Sequence, residues 1–182
     1  MPSRKNLIYL TGFMGSGKST IAPILAESLG YEFIDIDAEI EKRAGETISE
    51  IFHRHGEQYF RNLEREILLR VSQQDGSVIS LGGGTIANRE NLAAVKSSGV
   101  LIYLKTELEQ IMQRLRDKTD RPMLETLDGS RLSEGELRTR ITELLNVREP
   151  FYSQADITIA TNNKRVQTAV EEILSQIKKI VE

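Results

Sequence analysis

The chain has 182 residues, room for one ordinary domain rather than two. Its residues are 39% hydrophobic and 28% charged, which supplies a core and excludes a disordered or low-complexity scaffold. The net charge of -3 argues against an extended nucleic-acid footprint, and the absence of cysteine removes disulfides, thiolate metal sites and a cysteine nucleophile together.

The apolar run over residues 6–11 ends on Gly12, the pattern of a buried strand feeding a turn. The polar residues before it have none of the charged, apolar and small-residue sections of a secretory peptide, and no apolar run approaches the roughly 18 residues of a membrane span. The expectation is a cytoplasmic protein with neither a membrane nor a nucleic acid as partner. Similar short runs recur at 32–37, 77–81, 99–104 and 156–160, separated by longer stretches with helical spacing. Strands alternating with helices require crossover connections, so the fold class is α/β, with a parallel sheet covered on both faces.

Between the first strand and a helix predicted over 19–29 lies Gly12-Phe13-Met14-Gly15-Ser16-Gly17-Lys18-Ser19, the Walker A pattern in its strand, loop and helix context. Its glycines let backbone N–H groups wrap a polyphosphate, and the helix N-terminus adds unpaired donors and a favourable dipole. Lys18 is suited to neutralise β- and γ-phosphate charge, and the Ser19 hydroxyl to ligate Mg²⁺. Pro23 lies beyond the first helical turn, where it removes a donor and presses on the carbonyl of Ser19, so a kink or an altered first turn is expected.

In Phe33-Ile34-Asp35-Ile36-Asp37 two carboxylates stand two apart in a strand-like run, so both project to one side at the strand's C-terminal end, where open parallel sheets bind ligands. One can hold a water of the magnesium shell while the other accepts a hydrogen bond from an attacking hydroxyl; the alternative is a capping pair for a helix beginning near Ala38. His53 and His55 are two apart in a helical stretch, do not face each other, and read as surface residues rather than a metal pair. Taken locally, Arg61 follows Glu57 by four and precedes Glu64 by three, the spacing of ordinary ion pairs on a solvated helix face. The strand at 77–81 runs into Gly82-Gly83-Gly84, and Ser80 stands where phosphate-loop proteins usually carry a second magnesium aspartate. The glycine triplet either admits backbone close to a small ligand or forms a flexible turn.

Residues 106–117 read as a helix, and the connection 118–134 holds Asp120-Arg121-Pro122 and Asp128-Gly129-Ser130, the breaker signals of a mobile segment. Arg121 is there either a loop charge or a cation that closes onto a transferring phosphate. Arg148 precedes Glu149-Pro150 near the end of a helical stretch, where a cation suits the dipole. Asn163-Lys164-Arg165 continues with Val166 rather than the aspartate of a guanine-reading motif, which argues against GTP. In the last helix Val166, Ala169, Val170, Ile173, Leu174, Ile177, Ile180 and Val181 share one face, expected to pack on the sheet.

The phosphate loop, Asp35-x-Asp37, Gln58-Tyr59-Phe60-Arg61, Gly82-Gly83-Gly84, Arg121-Pro122 and Arg148-Glu149-Pro150-Phe151-Tyr152 together resemble the shikimate kinase family over about residues 7–181. The resemblance implies a P-loop fold of nucleoside-monophosphate-kinase type in one kinase domain over 1–182. Its parallel sheet would have five strands in the order 2-3-1-4-5, with a substrate-binding segment at about 33–62 and a mobile lid at about 118–134. It implies transfer of the ATP γ-phosphoryl group to the 3-hydroxyl of shikimate, a step of aromatic amino acid (chorismate) biosynthesis, by a monomer using Mg²⁺. Carried over by position, Gly12, Gly15, Ser16, Gly17, Lys18, Ser19, Thr20 and Arg121 hold the nucleotide, and Asp37, Arg61, Gly83 and Arg148 hold shikimate. Ser19 and Asp35 belong to the metal, and Lys18, Asp37 and Arg121 are catalytic. The alternatives are a gluconate-type or nucleotide kinase, and a regulatory module that binds nucleotide without phosphorylating an acceptor.

Overall fold

The computed structural model describes residues 6–116 and 130–181; residues 118–129 of the expected lid, Arg121 among them, lie outside the described residues. Strand β1 (Leu7–Thr11) is buried along its whole length because it is central and covered on both faces. Its side chains alternate: Leu7 and Tyr9 enter one apolar cluster, and Ile8 and Leu10 enter the other. Around it lie β2 (Glu32–Asp35), β3 (Ser77–Ser80), β4 (Val100–Lys105) and β5 (Ile157–Ala160), in a parallel sheet of order β2-β3-β1-β4-β5. The register pairs Leu10 with Ser80 and with Ile102, and Asp35 with Ser80, so the ends of three strands come level beside the phosphate loop.

Helices α1 (Lys18–Leu29) and α7 (Val166–Val181) cover one face through Leu25, Ala26, Val170 and Ile173. Ile180, placed by its spacing on the packed face of α7, is exposed. Helices α2 (Ile36–Ala44), α3 (Ile48–Val71) and α4 (Arg89–Ser98) cover the other face. A third cluster forms where α5 (Leu108–Leu115) and α6 (Glu134–Tyr152) close on Phe13, burying Ile111, Met112, Leu115 and Ile141 beneath the loop.

Two expectations change in detail. The run over 32–37 is a strand only to Asp35, because the Asp35 side chain accepts a hydrogen bond from the Ala38 N–H at 3.0 Å and starts α2. Asp37 therefore stands in a helical turn, and strand alternation does not explain the juxtaposition of the two carboxylates. Pro23 is accommodated inside α1, which continues through it as one element from Lys18 to Leu29.

Candidate active site

Strand β1 delivers the chain into a loop in which Gly12, Gly15 and Gly17 have φ of 149°, 81° and 99°. At Gly12 a side chain is also excluded by space, since its Cβ would lie 2.7 Å from both the Leu104 carbonyl oxygen and Ser16 Oγ. Helix α1 opens on Gly17 with no side-chain cap and no acidic residue in its first turn. Its positive end is left for an anion that is not part of the helix. Lys18 Nζ donates to the carbonyls of Gly12 at 2.6 Å and Phe13 at 3.1 Å, which holds the ammonium over the loop. Ser19 and Thr20 are exposed. The cleft they face, about 390 Å³, is also lined by Asp35, Asp37, Ser80, Gly82, Gly83, Arg114, Thr161 and Lys164.

A second, smaller cleft of about 80 Å³ shares Met14, Asp37, Gly82 and Gly83 with the first and adds Phe60, Arg61, Glu64, Gly84 and Arg148. Arg61 Nη1 donates to Glu64 Oε2 at 2.8 Å, and Arg61 Nη2 to Glu57 Oε1 at 3.4 Å. Burial by itself would lower the pKa of this guanidinium, but Glu64 and then Glu57 outweigh it and raise the value, so Arg61 stays charged. Glu64 is only 1% exposed and takes a further hydrogen bond from Thr85 Oγ1 at 2.6 Å. The Arg61 charge is thereby fixed in place from below.

Arg148, on α6, is 4% exposed, with its guanidinium carbon 5.4 Å from the centre of the Phe13 ring. Its Nη1 is buried without a hydrogen-bond partner. An unsatisfied buried donor costs roughly 1–3 kcal/mol, more when charged, so this atom calls for an acceptor from outside the chain. The glycine triplet lets the two cations converge: a Cβ at Gly83 would meet Arg148 Nη1 at 3.1 Å, and one at Gly84 would meet Arg61 Nη2 at 2.7 Å. Asp37 lies on the same wall, since a Cβ at Gly82 would be 3.2 Å from its Oδ1. Two guanidiniums, one of them offset by Glu64, beside an aspartate suit a small acceptor carrying a carboxylate and hydroxyls.

The structure thus brings together Gly15, Ser16, Gly17, Lys18, Ser19, Thr20, Asp35 and Asp37 around one cleft, with Gly12 buried at the start of the loop, and Asp37, Arg61, Gly83 and Arg148 around the other. The local reading of Arg61 is half right, because both ion pairs form, but its partner Glu64 is buried. Arg148 is not a solvated cation at a helix end, since α6 continues through Pro150 to Tyr152 and buries it. His53 and His55 are both exposed, with His55 Nε2 3.0 Å from Glu46, as surface residues should be. Sequence reasoning missed Glu64 as a buried support and Arg114, whose Nη1 donates to the Gly15 carbonyl at 2.6 Å. Glu64 carried a signal in its spacing from Arg61; Arg114 carried none.

A phosphate loop and an arginine-lined cleft that meet at one aspartate define a kinase for a small anionic alcohol. The sequence profile of the shikimate kinase family matches residues 14–178. Shikimate kinases of Chlorobaculum tepidum and Chlorobium limicola are 49% and 47% identical, over 96% and 97% of this chain and 91% and 88% of their own lengths. Among solved structures, the shikimate kinase of Acinetobacter baumannii in complex with shikimate has a TM-score of 0.86 at 37% identity, covering 96% of this chain and 94% of that one. That of Aquifex aeolicus has 0.81 at 39%, covering 96% and 98%. A gluconokinase from Sinorhizobium meliloti, at 18% identity and a TM-score of 0.57 over 97% of this chain and 94% of its own, shares the fold alone. The chain belongs to the shikimate kinase family.

Proposed function

We propose that this chain transfers the γ-phosphoryl group of ATP to the 3-hydroxyl of shikimate, giving shikimate 3-phosphate and ADP, and that it works as a cytoplasmic monomer with one kinase domain. The observation that carries the acceptor assignment is the buried, partnerless Nη1 of Arg148 beside Gly83, in a cleft that shares Asp37 with the phosphate loop. The acceptor's carboxylate is held by Arg148, Arg61 and the backbone at Gly83, which turns its far hydroxyl toward Asp37. Asp37 accepts a hydrogen bond from that hydroxyl, orienting the oxygen for in-line attack and giving its proton a destination. The loop N–H groups, the first turn of α1 and Lys18 hold the triphosphate and stabilise charge on the transferring group. Arg121, from the lid segment, is proposed to close over the same phosphates.

Mg²⁺ fits the donors present: the Ser19 hydroxyl is exposed in the cleft, and Asp35, whose Oδ1 caps α2, has its other oxygen for a metal-bound water. Among the described residues no three His, Asp or Glu side chains gather to hold a metal by themselves, which suits an ion held largely by phosphate and water. When bound, the ion neutralises phosphate charge.

ADP release measured with a panel of acceptors tests the reading: shikimate should stimulate it, while gluconate and nucleoside monophosphates should not. Asp37→Asn should lower shikimate-dependent turnover by about a hundredfold or more. Near-normal turnover would remove Asp37 from the chemistry, and no stimulation by shikimate would remove the assignment.

A further inference from the structure

We infer that Tyr152 is a positioning residue for the acceptor's anionic group: its hydroxyl fixes the Gly83–Gly84 peptide so that the Gly84 amide N–H faces the cleft beside Arg148. The inference rests on the acceptor site proposed above. Arg148 and Tyr152 are four apart on α6, so both project from one helix face toward the same strand end. The Tyr152 side chain is fully buried, and its hydroxyl donates to the Gly83 carbonyl. The other two carbonyls of the triplet are used within the local turn, Gly82 by the Thr85 N–H and Gly84 by the Ala87 N–H, each at 3.1 Å. Gly83 alone takes its donor from a distant element.

That bond sets a direction. In a trans peptide the C=O and the following N–H point to opposite sides. With the Gly83 carbonyl drawn down to Tyr152, the Gly84 N–H points away from the core. Neither the Gly83 nor the Gly84 N–H donates to an acceptor among the described residues, and both glycines line the small cleft. Arg148 Nη1, likewise without a partner, borders the same wall. Unpaired backbone donors beside an unpaired guanidinium nitrogen form a nest for an oxyanion.

Tyr152 is itself held rigidly. Its ring stacks on Tyr103 with centroids 4.9 Å apart and planes at 30°, and the Tyr103 hydroxyl donates to Glu149 at 2.7 Å. Burial, only partly opposed by the charge of the nearby Arg148 and by a hydrogen bond with that side chain, raises the Tyr152 pKa to about 12, so the hydroxyl keeps its proton and remains a donor at neutral pH.

The test is Tyr152→Phe in the full chain, since phenylalanine fills nearly the same volume and preserves the fold. The expected result is about a tenfold rise in KM for shikimate, with KM for ATP and kcat unchanged within about twofold. Tyr103→Phe, which removes the neighbouring hydroxyl of the same stack, should leave KM for shikimate unchanged. An equal rise in KM for both substrates, or an equal rise in Tyr103→Phe, would overturn the inference by showing general loosening. Arg148→Lys separates this inference from the site reading. A raised shikimate KM in Arg148→Lys with none in Tyr152→Phe refutes only the role of Tyr152, whereas no rise in either variant refutes the acceptor site itself.

Discussion

Lys18 closes on the carbonyls of Gly12 and Phe13 and so keeps a positive charge at the mouth of the loop. Lys18→Ala should lower turnover on the order of a hundredfold or more, because a charge aimed at the transferring phosphate is lost from a preorganised site. Its urea midpoint should move little, as the side chain is half-exposed and supports no core; kcat and the midpoint measured on one preparation check both expectations. Lys18 and its glycines were legible in the sequence because adjacent residues alone create that chemistry. Arg61 and Arg148 were not legible from their own neighbourhoods. Their value comes from burial on two separate helices and from a glycine triplet on a third element, which only the resemblance to a known family brought together. Glu64 was misread because ion-pair spacing on a helix says nothing of which face is covered.

At the scale of elements, α3 is two helical segments joined at Gly56, whose φ of 82° and ψ of 172° lie outside any helix. The break sets the direction of the second segment, which begins just before Phe60 and Arg61. Those torsions are essentially restricted to glycine, so Gly56→Ala should destabilise the fold by about 1–3 kcal/mol. It should also raise KM for shikimate more than KM for ATP. Urea unfolding and paired KM values measure the two effects, and an unchanged midpoint would show that the break is not strained by a side chain. The alternation of strands and helices could be read from apolar spacing, but the end of β2 could not. Strand-like and capping patterns compete at Asp35, and its bond to the Ala38 N–H decides in favour of the cap.

For the whole molecule, the two-faced core makes the alkaline limit of stability predictable. Tyr9, Tyr103 and Tyr152 each have a pKa raised above the ordinary 10.0, with burial the largest cause. A folded-state pKa above the unfolded one contributes stability that is complete below the unfolded value and is lost as pH rises through the folded value. Unfolding free energy should therefore fall above about pH 10, through the value of about 12 at Tyr152, with buried tyrosines ionising only as the chain opens. Urea titrations at stepped pH, followed by tyrosinate absorbance, check this; tyrosinate forming while the fold persists would contradict it. The parallel sheet has one further consequence. Every strand points the same way, so the phosphate loop, Asp35 and Asp37, the glycine triplet and Thr161 all emerge at its carboxyl end. The connections at the opposite rim, such as residues 72–76 between α3 and β3, touch none of this. That rim is where extra length, a fused partner or new chain ends can be grafted without disturbing the chemistry.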